Sequence, residues 1–246
     1  MDATNYKRKF NAFSVKRAEW LGLILFIIFE ILGLVINMVY FKDNQIVTGK
    51  IYLDIIIAVS IVFIGVIIHE LIHALCIKIF TRGNKDNIKF GKNLKRGFFY
   101  VTTTKEMKAK YYKISLIMPV IITGIIPFFI CMILGGPIVL TAFPFLIAAG
   151  CGDIYCFVNL LKVKSSTLIL DSEDNLGFYE LYKEGEEPNG FVETTKENEE
   201  EIINTLKEKD QQLEKRQIYI KAILIVLFLA IFVGIMFLLA HLLKFI

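Results

Sequence analysis

The sequence predicts an all-α polytopic membrane protein with about five transmembrane helices, a small cytoplasmic β-hairpin and a cytoplasmic helical segment. Two observations predict this class. Hydrophobic residues make up 55% of the 246 residues and the mean hydropathy is +0.58, which is more apolar surface than a soluble core of this size can bury. The apolar residues also fall into runs of about 20 residues, the length at which a helix crosses a bilayer.

These runs divide the chain into segments. We expect a cytoplasmic N-terminal segment (1–19), a four-helix transmembrane core (20–161) with a basic cytoplasmic loop (81–112), a cytoplasmic segment (162–217) and a C-terminal transmembrane helix (218–246). The first run lacks the small-residue cleavage pattern of a signal peptide, so we expect it to stay in the membrane.

The basic loop sets the orientation. Lys and Arg concentrate next to membrane helices on the cytoplasmic side, so the sequence predicts a multi-pass protein of the cell membrane with a cytoplasmic N-terminus. This orientation explains the basic charge more simply than nucleic-acid binding does. We therefore expect the lipid bilayer, and no nucleic acid, as a partner.

The second apolar run contains an HExxH motif from His69 to His73. Histidines four residues apart share one face of a helix, where both imidazoles can reach one metal ion. In soluble metalloproteases the glutamate of this motif, here Glu70, takes a proton from the metal-bound water. Three ionisable groups in an apolar helix predict a functional site, because they are costly unless they face a polar interior. Gly65, one turn before His69, would let a neighbouring helix approach closely.

Inside the basic loop, Ile88 to Thr104 predicts a β-hairpin. Apolar residues alternate with polar ones in its first half, and aromatic and β-branched residues fill its second half. An extended substrate could add to a free edge of this hairpin as a further strand. An ordinary surface hairpin is an equally good interpretation.

The third and fourth runs are predicted to be antiparallel neighbours. The third (113–134) contains Pro119 and Pro127, which we expect to kink it. A tight reversal at residues 135–137 then leads into the fourth (138–161). Two glycines in the second half of the fourth run weaken that helix locally and allow close approach of a neighbouring backbone.

Asp153, directly after those glycines, is the predicted third metal ligand. His69 precedes the boundary residue Lys78 by nine residues, and Asp153 precedes Lys162 by nine. At about 1.5 Å per helical residue both lie roughly 14 Å from the cytoplasmic boundary, so they can meet at one level. Two imidazoles and one carboxylate leave an open position for water. A carboxyl group neutralised by another partner, or held protonated, is the alternative.

The roles of several other residues stay open at this point. Glu30, in the first predicted span, serves either a packing contact or the supply of protons or water. Asn159 could donate to substrate or to a neighbouring helix. The helix-compatible segment 193–217 could pack on the cytoplasmic face of the core or bind a partner. His241, at the far end of the fifth span, is too remote in depth to join the site.

The order of these features resembles a known family. An HExxH motif in a transmembrane helix, a basic strand-containing loop, two further helices and an intramembrane Gly-Asp are similar to the DUF3267 zincin peptidases, which in turn resemble the site-2-type intramembrane metalloproteases. The resemblance covers roughly residues 50–180. It implies that His69 and His73 bind zinc, that Glu70 activates water and that Asp153 is the remaining protein ligand. In site-2 proteases glycine follows the ligating Asp, whereas here it precedes it.

The sequence therefore predicts a zinc-dependent intramembrane peptidase, with Zn²⁺ as cofactor, that hydrolyses a peptide bond of a membrane protein or peptide near the cytoplasmic side. The metal would lower the pKa of its bound water to about 7, and Glu70 would pass the proton to the leaving amine. Substrate, cleavage position, metal identity and oligomeric state are not specified by the sequence. A non-enzymatic protein that uses the same residues for metal or ion transport is the alternative, although no inverted repeat is evident. A degenerate peptidase that only binds membrane segments is another.

Overall fold

The computed structural model describes residues 6–40, 48, 50–81, 88–93, 98–134, 140–172 and 177–243. The helices, numbered in chain order, are α1 (Val15–Tyr40), α2 (Ile51–Phe80), α3 (Ala109–Val120), α4 (Ile126–Leu134), α5 (Ala142–Ala149), α6 (Cys151–Leu160) and α7 (Lys196–Leu243), with a π-helical turn (Ile121–Ile125) between α3 and α4. The strands are β1 (Tyr6–Ala12), β2 (Ile88–Asn93), β3 (Phe98–Thr103), β4 (Met107–Lys108), β5 (Leu168–Asp171) and β6 (Gly177–Lys183). The described part of the chain is mostly helical.

Three helical stretches are long and apolar enough to cross a membrane, namely Val15–Asn37, Tyr52–Phe80 and Ala109–Leu134. The α5 and α6 helices pass the same test as a pair and meet at a bend of 46°. Three or four candidate spans among the described residues indicate a membrane protein. The predicted count of about five spans and the cytoplasmic side of the loops stay predictions.

The bend between α5 and α6 falls at Gly150, one of the two glycines that predict a local weakening of this helix. Gly150 leaves the helical region at φ −77° and ψ 13°, while its N–H still donates to the carbonyl of Leu146. The polypeptide therefore changes direction immediately before Asp153. The predicted reversal at residues 135–137 lies outside the described residues.

Helix α5 lies at the centre of the helical core because glycines on two neighbouring elements let it approach closely. A Cβ on Gly65 of α2 would lie 2.5 Å from Leu146, and a Cβ on Gly124 of the π-helical turn would lie 2.6 Å from Ile147. Both α5 side chains are almost completely buried. The close approach that the sequence predicts at Gly65 is confirmed.

A four-stranded antiparallel sheet with the order β1-β6-β5-β4 was not part of the predicted fold class. Strand β1 comes from the predicted N-terminal segment and pairs with β6 from Tyr6↔Lys183 to Ala12↔Gly177. The two strands are far apart in the sequence, so no local sequence pattern predicts that they pair. The all-α class therefore describes the candidate spans but not the whole fold.

The predicted hairpin is confirmed as a separate antiparallel pair of β2 and β3, with Ile88 opposite Thr103 and Asn93 opposite Phe98. Strand β3 contacts both α2 and β5. The hairpin thus lies between the end of the HExxH helix and the four-stranded sheet.

Helix α7 unites the predicted charged segment and the predicted C-terminal span in one continuous helix. Its first half runs parallel to the start of α1: Ser14 donates to Asp210, and the indole N–H of Trp20 donates to Gln217. Because Trp20 and Gln217 each precede an apolar run, both runs begin at the same level. This alignment supports the prediction of a fifth span.

Candidate metal centre

His69 and His73 lie on one face of α2, with their ring centroids 5.0 Å apart. Each residue is only 8% exposed, so both imidazoles are enclosed by the protein. This local arrangement follows from the helix itself, in which residues four apart lie one turn above one another.

Asp153 in the first turn of α6 reaches both histidines. Its Oδ2 atom lies 2.9 Å from His69 Nε2 and 3.4 Å from His73 Nε2. The approach depends on Gly150, because a Cβ there would lie 2.6 Å from Val120 Cγ2 and 3.4 Å from His69 Cε1. The structure thus brings together the three residues that were predicted to meet at one depth.

The three residues fit a zinc ion. One ligand atom from each of His69, His73 and Asp153 lies within 4.8 Å of the others. Ligands about 2.0–2.1 Å from a tetrahedral zinc ion lie about 3.3 Å apart. The two contacts of Asp153 Oδ2 with the imidazoles, at 2.9 and 3.4 Å, are close to this separation. Two imidazoles and a carboxylate also match the donor set of catalytic zinc sites. Within the described ranges this is the single such group of His, Cys, Asp or Glu side chains.

Glu70 is half-buried beside this cluster and is not one of its members. Its carboxylate accepts a hydrogen bond from the backbone N–H of Val101 in β3. The hairpin therefore lies directly against Glu70. A carboxylate next to the candidate ligands, but outside the ligand set, is a candidate for a general base.

Asp171, at the end of β5, was not singled out from the sequence. Thr102 Oγ1 donates to its Oδ2 at 2.5 Å, and the Tyr112 hydroxyl donates to its Oδ1 at 2.8 Å. Burial raises the pKa of Asp171 to about 6, although the two hydroxyl donors act in the opposite direction. In the sequence Asp171 follows a short β-prone run (165–170) and begins an acidic stretch, and this position was its only signal.

Glu30 and Asn159, which were also singled out in the sequence, are not among the described members of the cluster. Glu30 is buried in α1 and is not a member of the described group. The Asn159 side chain donates to the carbonyl of Tyr155 at 2.7 Å, one turn earlier in the same helix. The side chain of His241 lies outside the part of the chain whose side chains are described.

The family comparison agrees with this geometry. Residues 62–168 match DUF3267, described as a putative zincin peptidase. The matched segment contains the HExxH motif, the hairpin and Asp153, so the predicted resemblance to DUF3267 is confirmed over these residues. No curated protein and no solved structure gives a significant match. A zincin-type family implies zinc and supports a metallopeptidase.

Proposed function

We propose that the chain is a zinc-dependent intramembrane peptidase that hydrolyses a peptide bond of a membrane protein or peptide near the cytoplasmic side. The observation that carries this proposal is the meeting of His69, His73 and Asp153 beside Glu70. Helix α2, which bears three of these groups, is apolar enough to span a membrane. Ionisable groups at such a depth are expected to face a functional site. The DUF3267 match adds support for metallopeptidase chemistry.

The residues divide into ligands and a base. His69, His73 and Asp153 would hold the zinc ion, which when bound supplies a Lewis acid that polarises the scissile carbonyl and acidifies water. Glu70 accepts the proton of the attacking water and gives it to the leaving amine nitrogen. The N–H of Val101 orients the Glu70 carboxylate for both transfers.

An extended segment of the substrate would lie along β3. The backbone N–H of Val101 contacts Glu70, and alternate residues of an antiparallel ladder direct their backbone groups to the same side. The edge of β3 that bears this N–H therefore leads past the base. Strand addition binds a substrate through its backbone and demands few particular side chains. This contact favours a substrate-binding hairpin over an ordinary surface hairpin.

Two irregular parts of the helical core would form walls of the path by which water reaches the site. Val120, directly before the π-helical turn, packs closely against Gly150 at the α5–α6 bend, and Gly150 borders His69. Non-helical backbone at membrane depth is tolerated where it is buried in protein or lines an aqueous cavity. We propose that the path runs beside this packed junction and opens to the cytoplasmic side.

Glu70→Gln tests the proposal. The variant should keep its zinc, measured by mass spectrometry of the purified protein, because Glu70 is not a ligand. Cleavage should fall by about 10²–10⁴-fold, the usual contribution of general acid–base catalysis. New N-termini would be quantified by mass spectrometry in membranes from cells that produce either protein. Glu30→Gln is the matched control for zinc content, since it makes the same change in a buried membrane carboxyl group outside the cluster. Retained cleavage in this variant would assign Glu30 to packing and not to the supply of protons or water.

Full turnover by Glu70→Gln would remove Glu70 from the mechanism. Zinc uptake into sealed vesicles, without any new N-termini in the membranes, would favour the transport alternative.

A further inference from the structure

The proposed mechanism leaves the contacts of Asp171 unused. Asp171 is the last residue of β5. Its carboxylate accepts one hydrogen bond from the Thr102 hydroxyl in β3 and another from the Tyr112 hydroxyl in α3. It also lies three residues beyond the segment that matches DUF3267. One carboxylate thus connects the four-stranded sheet, the hairpin and the helical core.

Two adjacent residues of β3 face two different carboxylates. The side chain of Thr102 donates to Asp171, whereas the backbone N–H of Val101 donates to Glu70. Neighbouring residues of a strand are rigidly related, because rotation or a shift of register moves both together. The residue that accepts the hydrogen bond of the Thr102 hydroxyl therefore also determines the direction of the Val101 N–H.

The hairpin needs such an anchor. An isolated two-stranded hairpin is marginally stable in water, so its position depends on contacts with the rest of the protein. Val101 packs against the core cluster that includes Ile77 and Ile169. This apolar contact keeps the hairpin against the core, but apolar contacts are not directional and do not fix the position of the hairpin along the strand. A directional hydrogen bond to an ionised acceptor supplies that restraint. Tyr112 occupies the other oxygen of Asp171 and prevents the carboxylate from turning away.

We propose that Asp171 is a positioning residue for Glu70: by holding Thr102 it keeps β3 where the Val101 N–H meets the base. This inference rests on the proposed role of Glu70. The four-stranded sheet then contributes to the reaction from outside the matched segment, because it carries the residue that aligns the base. Asp171 does not touch the reacting atoms in this scheme.

Asp171→Asn and Thr102→Val test the inference in the zinc-loaded full-length protein. Hydrogen exchange of peptides that contain Val101 should become about tenfold faster or more, as expected for the loss of a charge-assisted hydrogen bond. Zinc content and exchange in α5 should not change. This readout needs no substrate, so it decides the positioning role even if the wild-type protein cleaves nothing.

The cleavage assay in membranes supplies the second readout. Both variants should lose cleavage by about 10–10²-fold, the scale on which a displacement of about 1 Å acts. Thr102→Ser keeps the hydroxyl and should restore both exchange and cleavage. Thr103→Val is the matched control: Thr103 is equally buried, but its hydroxyl donates to the Lys105 carbonyl and not to Asp171.

Unchanged exchange at Val101 in both Asp171→Asn and Thr102→Val would overturn the inference. Equal losses in Thr103→Val and Thr102→Val would also overturn it, because the effect would then follow from disturbing the strand in general. If wild-type membranes show no new N-termini while exchange responds as expected, the proposed peptidase function fails and the positioning contact stands.

Discussion

Helix α2 and the α5–α6 pair contribute side chains to the same cluster, but different structural features position them. Helix α2 is one 30-residue helix, and its periodicity alone sets His69 and His73 one turn apart. The α5–α6 pair bends by 46° at Gly150 and brings only Asp153 to the site. The imidazole pair is therefore a local property of the chain, whereas the third candidate ligand depends on tertiary packing.

The two elements should also respond differently to changes in the sequence. A shift of α2 would move both imidazoles by the same amount, because they lie on one continuous helix. Asp153 instead depends on contacts that involve glycines, since any side chain at Gly150 would meet Val120. Changes around α5 and α6 should thus alter the distance between carboxylate and imidazoles without disturbing the imidazole pair.

The largest expected effect comes from removing ligands. His69→Ala and His73→Ala should each weaken zinc binding by more than about 100-fold, the upper value for residues that only support a ligand. Asp153→Ala should weaken it less, because the helix still presents two imidazoles. Affinity would be measured by competition with a chromophoric chelator. His241→Ala is the control histidine variant and should bind like wild type, whereas unchanged metal content in Asp153→Ala would move the third ligand elsewhere.

A smaller effect is expected from glycines at the bend. Gly150→Ala should destabilise the protein by about 1–3 kcal/mol, the usual cost of overpacking, and should also weaken zinc binding. Gly152→Ala adds the same methyl group two residues later, where nothing lies within 4 Å of the new Cβ, and should change neither property. Thermal unfolding and chelator competition measure both. Indistinguishable behaviour of the two variants would mean that close packing at Gly150 does not position Asp153.

The smallest effect concerns the pH dependence of cleavage. The pKa of Asp171 is raised to about 6 by burial, so the group is ionised above pH 6 and becomes protonated as the pH falls. A neutral acceptor holds Thr102 less firmly. The ratio of wild-type to Asp171→Asn cleavage should therefore decrease towards one below pH 6. Both proteins would be measured saturated with zinc, so that the ratio compares the same loaded metal site.

The groups around Asp171 do not obscure this ratio. Tyr112 from α3, Cys156 from α6 and His73 from α2 face Asp171 or lie within electrostatic reach of it. Asp171 acts electrostatically on His73, so the comparison uses zinc-loaded protein, in which the His73 imidazole is held as a proposed metal ligand. A ratio that stays constant between pH 5 and pH 8 would show that the charge of Asp171 does not matter for cleavage.

The parts of the site that lie on single helices could be predicted from the sequence. The HExxH spacing predicts the imidazole pair because helical periodicity is local. Asp153 could be paired with His69 because each lies nine residues before a basic boundary residue, so counting along two helices places them at one level. The depth was predictable, but the bend that turns the carboxylate towards the rings follows from packing around Gly150.

Neither the sheet nor the continuity of the long helix could be predicted, because neither follows from a local sequence pattern. Strand β1 is basic and short, and its pairing with β6 joins residues from opposite halves of the chain. Helix α7 continues without a break from a charged into an apolar stretch of sequence. The predicted boundary between two segments lies at this change in composition. The contact between Asp171 and Thr102 likewise joins distant strands, so an acidic turn gave no sign of it.

Anomalous diffraction at the zinc edge, from crystals of the zinc-loaded protein, would locate the ion itself. We predict one peak about 2.0–2.2 Å from an imidazole nitrogen of His69, an imidazole nitrogen of His73 and a carboxylate oxygen of Asp153. A zinc peak coordinated by other side chains, or a peak at the histidines with the Asp153 carboxylate turned away from it, would contradict the proposed metal centre.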